Sequence, residues 1–576
     1  MTHSSVYLPV RVAVAASVLA VLAGCSSLPS GLTASTLTPA RPETLKACSA
    51  IPAQFQFGQT RIESASEVAA GGLQLSGQPV PAHCHVRGRM HERKGSDGRD
   101  YAIGFEMRLP VAWNGRFYYQ GNGGLDGNVQ PAQGALGGGP LTGALMQGFA
   151  VISSDAGHTG AQTPYFGSEP QARLDYGYQA VGKLTPMAKA LIAAAYGKGP
   201  DRSYIGGCSN GGRHAMVAAA RFGEQYDGYL VGAPGYRLPL SAAAQLRGAQ
   251  LWTPLATPGA TTRHPLNPQA SIPDIGSAFT PAERQTVASA ILSRCDALDG
   301  LRDGLVQDTQ ACQGAFDLER DVPTCTAGRN GQCLTAEQKR VAGEAFRGVR
   351  TVSGRTVYAP FPWDPGLAAA NWAQWKFVNS LALDPLSVGT VFSTPPGRVD
   401  VARDDIDMWL ARFGATDTGH RESGWSLMTP PGHEQPANMT ALHARGAKMV
   451  LYHGVSDAIF SAEDTRQWTQ RVDQALGGRG KDFARYFPVP GMNHCSGGPA
   501  TDQFDLLSAL VQWVERGKAP QAVTAAARGT GNPGGVNAEL PASWSAQRTR
   551  PLCAWPTVAR YKGSGDPERA ESFVCQ

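Results

Sequence analysis

The sequence predicts an α/β fold whose sheet is mostly parallel and whose chain carries one long insertion. Over residues 48–235, short β-rich segments alternate with Gly-rich loops and helical stretches, a pattern typical of parallel strands joined by helices. Over 236–445, short helices, proline loops and scattered tryptophans replace this alternation, which returns over 446–576. We therefore expect one α/β domain in two parts, 48–235 and 446–576, with 236–445 inserted as a lid domain.

Individual elements can be assigned within the two α/β parts. Alternating apolar and polar residues predict a strand over 101–109, and the apolar run 149–153 predicts a buried one. Helix-forming residues predict a helix over 184–195, and an amphipathic pattern predicts another over 502–516. Further strands are predicted over 115–120, 203–205 and 448–452, and a further helix over 213–222.

Composition describes a globular protein. The chain has 576 residues, of which 42% are hydrophobic and 17% charged, enough for more than one core. Its net charge of +5 is spread without a long basic run, which argues against a nucleic-acid partner. We expect a monomer.

The N-terminus carries a targeting segment. Arg11 is followed by an apolar run, 12–22, that is too short to span a bilayer. The cysteine at the end of Leu22-Ala-Gly-Cys25 resembles the lipidated residue of the bacterial lipoprotein cleavage box; ordinary secretory cleavage nearby is the alternative. We predict a lipoprotein signal peptide over 1–25 and a tether over 26–47. The protein is then an outer-membrane lipoprotein or is periplasmic or secreted, and it meets the membrane only through a lipid on Cys25.

Cysteine usage agrees with export. Of 11 cysteines, ten remain if Cys25 carries lipid, an even set suited to an oxidising compartment. Spacing does not fix connectivity in general. Close spacing nevertheless suggests three bridges: Cys295 with Cys312, Cys325 with Cys333, and Cys553 with Cys575.

A nucleophile motif lies in the first α/β part. Gly207-Cys-Ser209-Asn-Gly211 matches the nucleophile elbow, in which a serine occupies a sharp turn between a strand and a helix. The predicted strand 203–205 and helix 213–222 supply that context. Glycines on both sides allow a strained turn without a Cβ clash. The alternative is a Gly-rich turn with an inert serine.

A base and an acid follow in the order that α/β-hydrolases use. A serine hydroxyl needs a base that a third group orients, and the chain order in that fold is Ser, Asp or Glu, then His. Asp457 lies on a loop just after the strand 448–452, where such a sheet presents functional groups. His494 lies on a Gly/Pro loop after another strand. Ser209, Asp457 and His494 are therefore the predicted triad.

Other residues compete for two of these roles. Asp457 could be only a turn residue, with Asp155 or Asp502 as the acid. His453 is a competing base, but it would place base and acid four residues apart on one loop. His494 is therefore preferred.

Two cysteines flank the predicted nucleophile and base. Cys208 immediately precedes Ser209, and Cys495 immediately follows His494. If the serine and the histidine meet, the two cysteines come within disulfide range, and a bridge would lock both loops together. Two unrelated buried cysteines are the alternative.

An oxyanion hole needs backbone N–H groups where negative charge develops. Asn210, the residue after the nucleophile, supplies one. The second should come from the Gly-rich loop 121–124 that follows an early strand. As the alternative, that loop is only a flexible turn.

An acidic loop lies at the start of the second half of the chain. Asp296, Asp299 and Asp303 occur in a stretch punctuated by glycines, without the EF-hand glutamate. Oxygen ligands on a flexible loop favour Ca²⁺ over zinc or Mg²⁺. A solvated acidic turn is the alternative. Because the loop is far from the elbow in sequence, we expect a structural role for the ion.

Taken together, these motifs resemble the tannase and feruloyl esterase family, including its mono(2-hydroxyethyl) terephthalate hydrolase branch. The pairing of a cysteine with the serine and of another with the histidine is the hallmark of that family. The matching stretches, spread between Cys48 and Cys575, are 206–212, 296–305, 452–457, 490–498, 550–553 and 559–563.

The resemblance implies an α/β-hydrolase fold with a large inserted lid domain and the triad named above. It implies an oxyanion hole from Gly124 and Asn210. It implies a structural Ca²⁺ held by the side chains of Asp296, Asp299 and Asp303 and the carbonyl groups of Leu301 and Leu305. It also implies five disulfides: Cys48–Cys84, Cys208–Cys495, Cys295–Cys312, Cys325–Cys333 and Cys553–Cys575.

The resemblance also guides the substrate prediction. The terephthalate branch anchors a free carboxylate with a lid arginine, but residues 376–391 form a shorter segment without arginine. Asn210 stands where that branch has a glutamate. Trp375, Phe392 and Phe460 are candidate aromatic contacts; a role in the core of the lid is the alternative.

We therefore expect a serine esterase that hydrolyses small-molecule esters of hydroxybenzoic- or hydroxycinnamic-type acids through an acyl-enzyme. The rivals are a terephthalate monoester hydrolase, a serine peptidase on the same fold, and a Ca²⁺-binding surface lipoprotein without catalysis.

Overall fold

The computed structural model describes residues 37–163 and 165–576. The predicted signal peptide, Cys25 and tether residues 26–36 lie outside the described residues. Residues 37–47, also assigned to the tether, lie against the domain. Glu43–Thr44 pairs with Ala112–Trp113, and the Ala40 N–H donates to Glu515 Oε2 at 3.1 Å.

A nine-stranded sheet forms the centre of the molecule. Its strands in chain order are β1 (Thr60–Val68), β2 (His83–Lys94), β3 (Asp100–Pro110), β4 (Arg116–Gln120), β5 (Ala150–Ser154), β6 (Arg202–Cys208), β7 (Gly228–Gly232), β8 (Lys448–Gly454) and β9 (Ala484–Val489). In space the order is β9-β8-β7-β6-β4-β5-β3-β2-β1. Strands β4 to β9 are parallel, and β3, β2 and β1 extend one edge in antiparallel pairs. The predicted, mostly parallel α/β sheet is confirmed.

Burial explains the two parts of the sheet. Every residue of β5 and β8 is buried, as expected for parallel strands covered on both faces. Along most of β2, buried and more exposed residues alternate, because one face of the antiparallel part meets solvent.

Helices cover both faces. Those of nine residues or more in the described chain are α1 (Ala180–Tyr196), α2 (Asn210–Arg221), α3 (Leu238–Trp252), α4 (Pro281–Cys295), α5 (Ala336–Phe346), α6 (Ile406–Gly414), α7 (Ala462–Ala475) and α8 (Leu506–Arg516). Shorter α-helices span Ile51–Gln54, Pro170–Leu174, Thr309–Ala315, Leu318–Asp321, Ala370–Ala373, Ser380–Leu386, Gly424–Met428 and Met439–Arg445. No helix in the part of the chain that the structure describes combines the length and apolar character needed to cross a bilayer.

The chain leaves the sheet after β7 and returns to it at β8. The intervening residues, 233–447, are called the inserted segment below, and their two strands, Thr261–Arg263 and Ser271–Pro273, pair only with each other. Buried side chains of this segment, among them Trp252 and Trp409, share one hydrophobic core with the sheet. Among the described residues, this hydrophobic core shows no break that would mark a domain boundary. The predicted boundaries at 236 and 445 therefore stay a prediction.

Five disulfides are formed among residues 37–163 and 165–576, and they are Cys48–Cys84, Cys208–Cys495, Cys295–Cys312, Cys325–Cys333 and Cys553–Cys575. Four of them join residues 8 to 36 positions apart. Cys208–Cys495 spans 287 positions and joins the two parts of the α/β domain.

Candidate active site

The elbow serine lies on a tight turn between a strand and a helix. β6 ends directly before Ser209, and α2 begins directly after it. Ser209 has φ +64° and ψ −124°, a strained left-handed backbone that non-glycine residues rarely adopt outside functional sites. A Cβ atom on Gly207 or Gly211 would come within 2.3 Å of the Gly121 carbonyl oxygen. Both motif glycines are therefore required by the close approach of another backbone segment.

The predicted base and acid contact each other. Asp457 follows the C-terminal end of β8, and His494 follows that of β9. The Nδ1 atom of His494 lies 2.7 Å from Oδ2 of Asp457, and both side chains are buried. Burial alone would raise the pKa of Asp457, but the neighbouring His494 and His453 lower it below its usual value. Asp457 is therefore an ionised acceptor beside the imidazole.

The competing histidine lies on the other side of the same carboxylate. His453 Nε2 is 3.3 Å from Oδ2 of Asp457 and 3.0 Å from the Phe460 carbonyl oxygen. Its Nδ1 atom is 2.8 Å from the Thr465 hydroxyl, and the ring is fully buried. Because both ring nitrogens are engaged there, His494 remains the histidine that can serve as the base.

The alternative acids are engaged elsewhere. Asp155 accepts hydrogen bonds from two backbone N–H groups, both at 2.9 Å. Asp502 forms a buried ion pair with Arg528 at 2.7 Å. The structure therefore brings Asp457 to His494 instead.

The disulfide predicted from the flanking cysteines joins the two loops. The Cα atoms of Cys208 and Cys495 are 6.0 Å apart. The bridge ties the loop that carries Ser209 to the loop that carries His494. The Nε2 atom of His494 is buried and has no hydrogen-bond partner among the described residues. This nitrogen is free to accept a proton, and the hydrogen bond from a nucleophile often forms only when substrate binds.

One carboxylate ties the two predicted oxyanion-hole segments together. The Asn210 side chain donates to Oδ2 of Asp126 at 2.8 Å, and Asp126 lies two residues after Gly124. The Gly124 carbonyl accepts a hydrogen bond from the Tyr176 hydroxyl at 3.1 Å. Gly124 has φ +63°, which favours glycine. These contacts fix the Gly-rich loop relative to the start of α2.

A buried network surrounds that carboxylate. Arg213 donates to Oδ1 of Asn210 at 2.6 Å and to two backbone carbonyls at 2.6 and 3.0 Å. His214 Nε2 lies 2.9 Å from Oδ2 of Asp126. Burial raises the pKa of Asp126 and lowers the pKa of His214. No sequence motif singles out Asp126 or Arg213. The signal that the sequence offers is their nearness to the two glycine motifs.

The three candidate aromatic contacts divide into two groups. The rings of Trp375 and Phe460 meet the His494 imidazole edge to face, with centroids 4.7 and 5.3 Å away. Phe392 is 1% exposed and packs against Phe413 within the inserted segment. The structure therefore brings Trp375 and Phe460, but not Phe392, against the imidazole.

The acidic loop is folded by its own backbone. Asp296 accepts from the N–H groups of Asp303 and Gly304 at 3.1 Å, and Asp299 accepts from that of Leu301 at 3.0 Å. The Leu305 N–H donates to Asp303 at 3.1 Å. The N–H groups of Leu301 and Leu305 therefore hold the loop in shape. The carbonyl groups of the same two residues are the predicted Ca²⁺ ligands.

Two of the three aspartates in this loop are buried or half-buried in a way that would favour a bound cation, whereas the third is paired with an arginine. Burial, reinforced by the nearby charge of Asp303, raises the pKa of Asp299 to about 7, and burial also raises that of Asp296. A bound cation would remove this penalty. Asp303, however, also forms an ion pair with Arg550. No group of three or more His, Cys, Asp or Glu side chains in 37–163 and 165–576 is arranged to hold a metal ion.

Known proteins resemble this chain in sequence and in fold over most of its length. The sequence profile described as "Tannase and feruloyl esterase" matches residues 84–576. Mono(2-hydroxyethyl) terephthalate hydrolase from Piscinibacter sakaiensis is 38% identical over 557 residues, which cover 90% of this chain and 88% of that protein. The crystal structure of feruloyl esterase B from Aspergillus oryzae has a TM-score of 0.73 at 25% identity and covers 92% of this chain and 99% of its own. Tannin acyl hydrolase from Aspergillus niger shares the fold, with a TM-score of 0.65 at 20% identity over 93% of this chain and 96% of its own.

The mixed sheet and its structural relatives define an α/β-hydrolase with a long insertion. The chain belongs to the tannase and feruloyl esterase family and is a carboxylic ester hydrolase. The family resemblance seen in the sequence is confirmed.

Proposed function

We propose that this protein is an exported serine esterase that hydrolyses esters of aromatic carboxylic acids through an acyl-enzyme intermediate. The observation that carries the proposal is the 2.7 Å contact between His494 and Asp457. The Cys208–Cys495 disulfide ties the loop of that histidine to the loop of Ser209.

The geometry supports a two-step mechanism. With its Nδ1–H donated to Asp457, His494 has an unprotonated Nε2 that takes the Ser209 proton as the hydroxyl oxygen attacks the ester carbonyl. The backbone N–H groups of Gly124 and Asn210 stabilise the oxyanion of the tetrahedral intermediate. The intermediate collapses, the alcohol leaves with the proton from His494, and a water molecule activated by the same imidazole then hydrolyses the acyl-enzyme.

The surroundings of the imidazole favour an aromatic acyl group. Trp375 and Phe460 present apolar ring surfaces within 5.3 Å of the His494 ring. Two relatives are named mono(2-hydroxyethyl) terephthalate hydrolase and probable feruloyl esterase B-1, and both names denote esters of aromatic acids. An aromatic acyl group can make edge-to-face contacts with these rings, which add specificity to the burial of its apolar surface.

Terephthalate monoesters are the second candidate substrate. The 38% identity to mono(2-hydroxyethyl) terephthalate hydrolase favours them. The absence of arginine from 376–391 argues against a matching carboxylate anchor. We therefore expect neutral esters, such as methyl ferulate or methyl gallate, to have a higher kcat/KM than a terephthalate monoester.

A substrate panel tests the proposal. Methyl ferulate, methyl gallate, mono(2-hydroxyethyl) terephthalate and a peptide amide are compared on the purified protein, with Ser209→Ala and Ser203→Ala as variants. Ser203 lies on the same strand and serves as the control. We expect Ser209→Ala to abolish ester hydrolysis and fluorophosphonate labelling while Ser203→Ala keeps both. Full activity of Ser209→Ala would exclude the serine mechanism. A wild type that is inactive and is not labelled by the fluorophosphonate would favour a binding lipoprotein. A wild type that prefers the peptide amide over the esters would favour a peptidase.

Export is the second part of the proposal. Five disulfides support an oxidising compartment. We expect the wild type to fractionate with membranes because Cys25 carries a lipid. The Cys25→Ala variant should carry no lipid, whether it is released from the membrane or retained there as an unprocessed precursor. Fatty-acid labelling of both forms measures this, and equal labelling would contradict it.

A further inference from the structure

A buried carboxylate of the inserted segment lies between the two loops that carry the acid and the base. Asp364 is 2% exposed and accepts a hydrogen bond from the Ser456 hydroxyl at 2.5 Å through Oδ1. Its Oδ2 atom accepts from the Gly491 N–H at 3.2 Å. Ser456 directly precedes Asp457, and Gly491 lies three residues before His494. One side chain therefore joins both loops.

The turn that follows is fitted against the same loops. The side-chain amide of Asn493 donates to the Gly366 carbonyl at 3.0 Å and lies 3.4 Å from that of Ser456. A Cβ atom on Gly366 would come within 2.5 Å of the Gly491 carbonyl oxygen and 2.6 Å of Ser456 Oγ. Since Asn493 is the neighbour of His494, this turn has no room to shift without moving the base.

We propose that Asp364 is a positioning residue, which acts through Ser456 and Gly491 to fix the orientation of Asp457 relative to His494. The inserted segment then sets the geometry of the triad in addition to covering it. This inference rests on the proposed function, since it concerns the same base and acid.

A purely structural role for Asp364 is distinguishable. Asp364 also caps the short turn Pro365–Ala368 by accepting from the Gly366 N–H at 3.0 Å. Asp274 caps the turn Ile275–Ala278 in the same way, accepting from the Gly276 N–H at 3.1 Å. Asp274 thus reproduces the cap of Asp364 elsewhere in the inserted segment.

The test compares Asp364→Asn, Ser456→Ala, the double variant and the control Asp274→Asn. Asparagine keeps the shape of the side chain but presents an NH₂ group either to the Gly491 N–H or to the Ser456 hydroxyl and the Gly366 N–H. Because misplacement of catalytic groups by about 1 Å can cost about 100-fold, we expect Asp364→Asn to lower kcat roughly 10- to 100-fold with KM changed less than about twofold. Ser456→Ala should lower kcat in the same direction. The double variant should be no worse than Asp364→Asn alone, because the two residues share one hydrogen bond.

A second readout does not depend on turnover. The Nδ1–H proton of His494 in its hydrogen bond to Asp457 gives a downfield proton NMR resonance, which we expect to shift or broaden in Asp364→Asn and Ser456→Ala but not in Asp274→Asn. Should Asp364→Asn fail to fold, Ser456→Ala carries the test, since it leaves the cap of Asp364 intact.

Equal kcat in Asp364→Asn and Asp274→Asn, together with an unchanged resonance, would overturn the positioning role. A wild type without esterase activity would refute the proposed function, and the resonance alone would then decide whether Asp364 orients the pair.

Discussion

Cys208 and Cys495 are 287 residues apart in the chain and form a disulfide whose Cα atoms are 6.0 Å apart. The bond ties the loop that carries Ser209 to the loop that carries His494, although the two loops belong to different parts of the α/β domain. In the chain-entropy account, closing a loop of this length lowers the entropy of the unfolded chain and thereby raises its free energy by roughly 5–6 kcal/mol. The bond therefore stabilises the fold and aligns the site at once.

Replacing this disulfide should affect activity and stability together. We expect Cys208→Ser with Cys495→Ser to lower kcat at least about 10-fold and to lower the Tm, measured by ester hydrolysis and calorimetry. The matched control is Cys325→Ser with Cys333→Ser, whose bond spans only 8 positions and for which the same account gives roughly 3 kcal/mol or less. Full activity without Cys208–Cys495 would show that packing alone aligns the loops.

Local motifs predict the triad from the sequence, and the structure brings two of its members, Asp457 and His494, into contact. The elbow is encoded by Gly207, Ser209 and Gly211 within five positions, and a strand followed by a loop identified Asp457 and His494. Because Cys208 adjoins Ser209 and Cys495 adjoins His494, the sequence alone indicates that the two loops can be joined by a disulfide. Strand and helix positions, such as the predicted 101–109 against Asp100–Pro110, agree because their periodicity is local.

Contacts made by the inserted segment could not be predicted. Asp364 and Ser456 are 92 positions apart, and no spacing rule relates an aspartate before a proline to a distant loop. Asp126 stands beside a recognised motif, but its contact with Asn210 depends on how a loop meets a helix. Phe392 was an aromatic candidate by position alone, and its packing against Phe413 depends on the fold of the insertion.

The Asp126 side chain should matter for the oxyanion hole. Asp126→Ala leaves the Asn210 amide and the His214 ring without their acceptor and frees the loop of Gly124 from α2. Loss of one oxyanion donor costs about 10²- to 10³-fold in kcat, so a loosened donor should cost roughly 10- to 100-fold. Steady-state kinetics of Asp126→Ala and Asn210→Ala measure this. If both variants keep wild-type kcat, the contact does not support the oxyanion hole.

Calcium should change how stability depends on pH. Burial and the nearby Asp303 raise the folded-state pKa of Asp299 to about 7, above the value near 3.9 of an unfolded chain. In the metal-free protein the contribution of Asp299 to stability should therefore become unfavourable as the pH rises from about 4 to about 7, because its ionised form is disfavoured in the folded state. Ca²⁺ should reverse this effect by binding that ionised form.

Thermal unfolding in EDTA and in CaCl₂, at pH 5 and at pH 8, measures this effect. Asp299→Asn should remove the contribution of Asp299 to the metal-free pH dependence and abolish the response to Ca²⁺, whereas Asp317→Asn, at a nearby helix cap, should leave both as in the wild type. An equal Tm in EDTA and CaCl₂ at pH 8 would exclude a structural calcium in this loop.

Two aromatic residues of the inserted segment should separate substrate binding from folding. Trp375 meets the His494 ring at 4.7 Å and is only partly buried, so Trp375→Ala should raise KM for methyl ferulate more than for a short aliphatic ester. Phe392 is buried against Phe413, so Phe392→Ala should destabilise the fold by roughly 3–5 kcal/mol while leaving the ratio of the two KM values unchanged. Kinetics on both esters and denaturant unfolding of both variants measure these effects. A changed ratio of the two KM values in Phe392→Ala would place that ring at the substrate. An unchanged ratio in Trp375→Ala would mean that Trp375 covers the imidazole without recognising the acyl group.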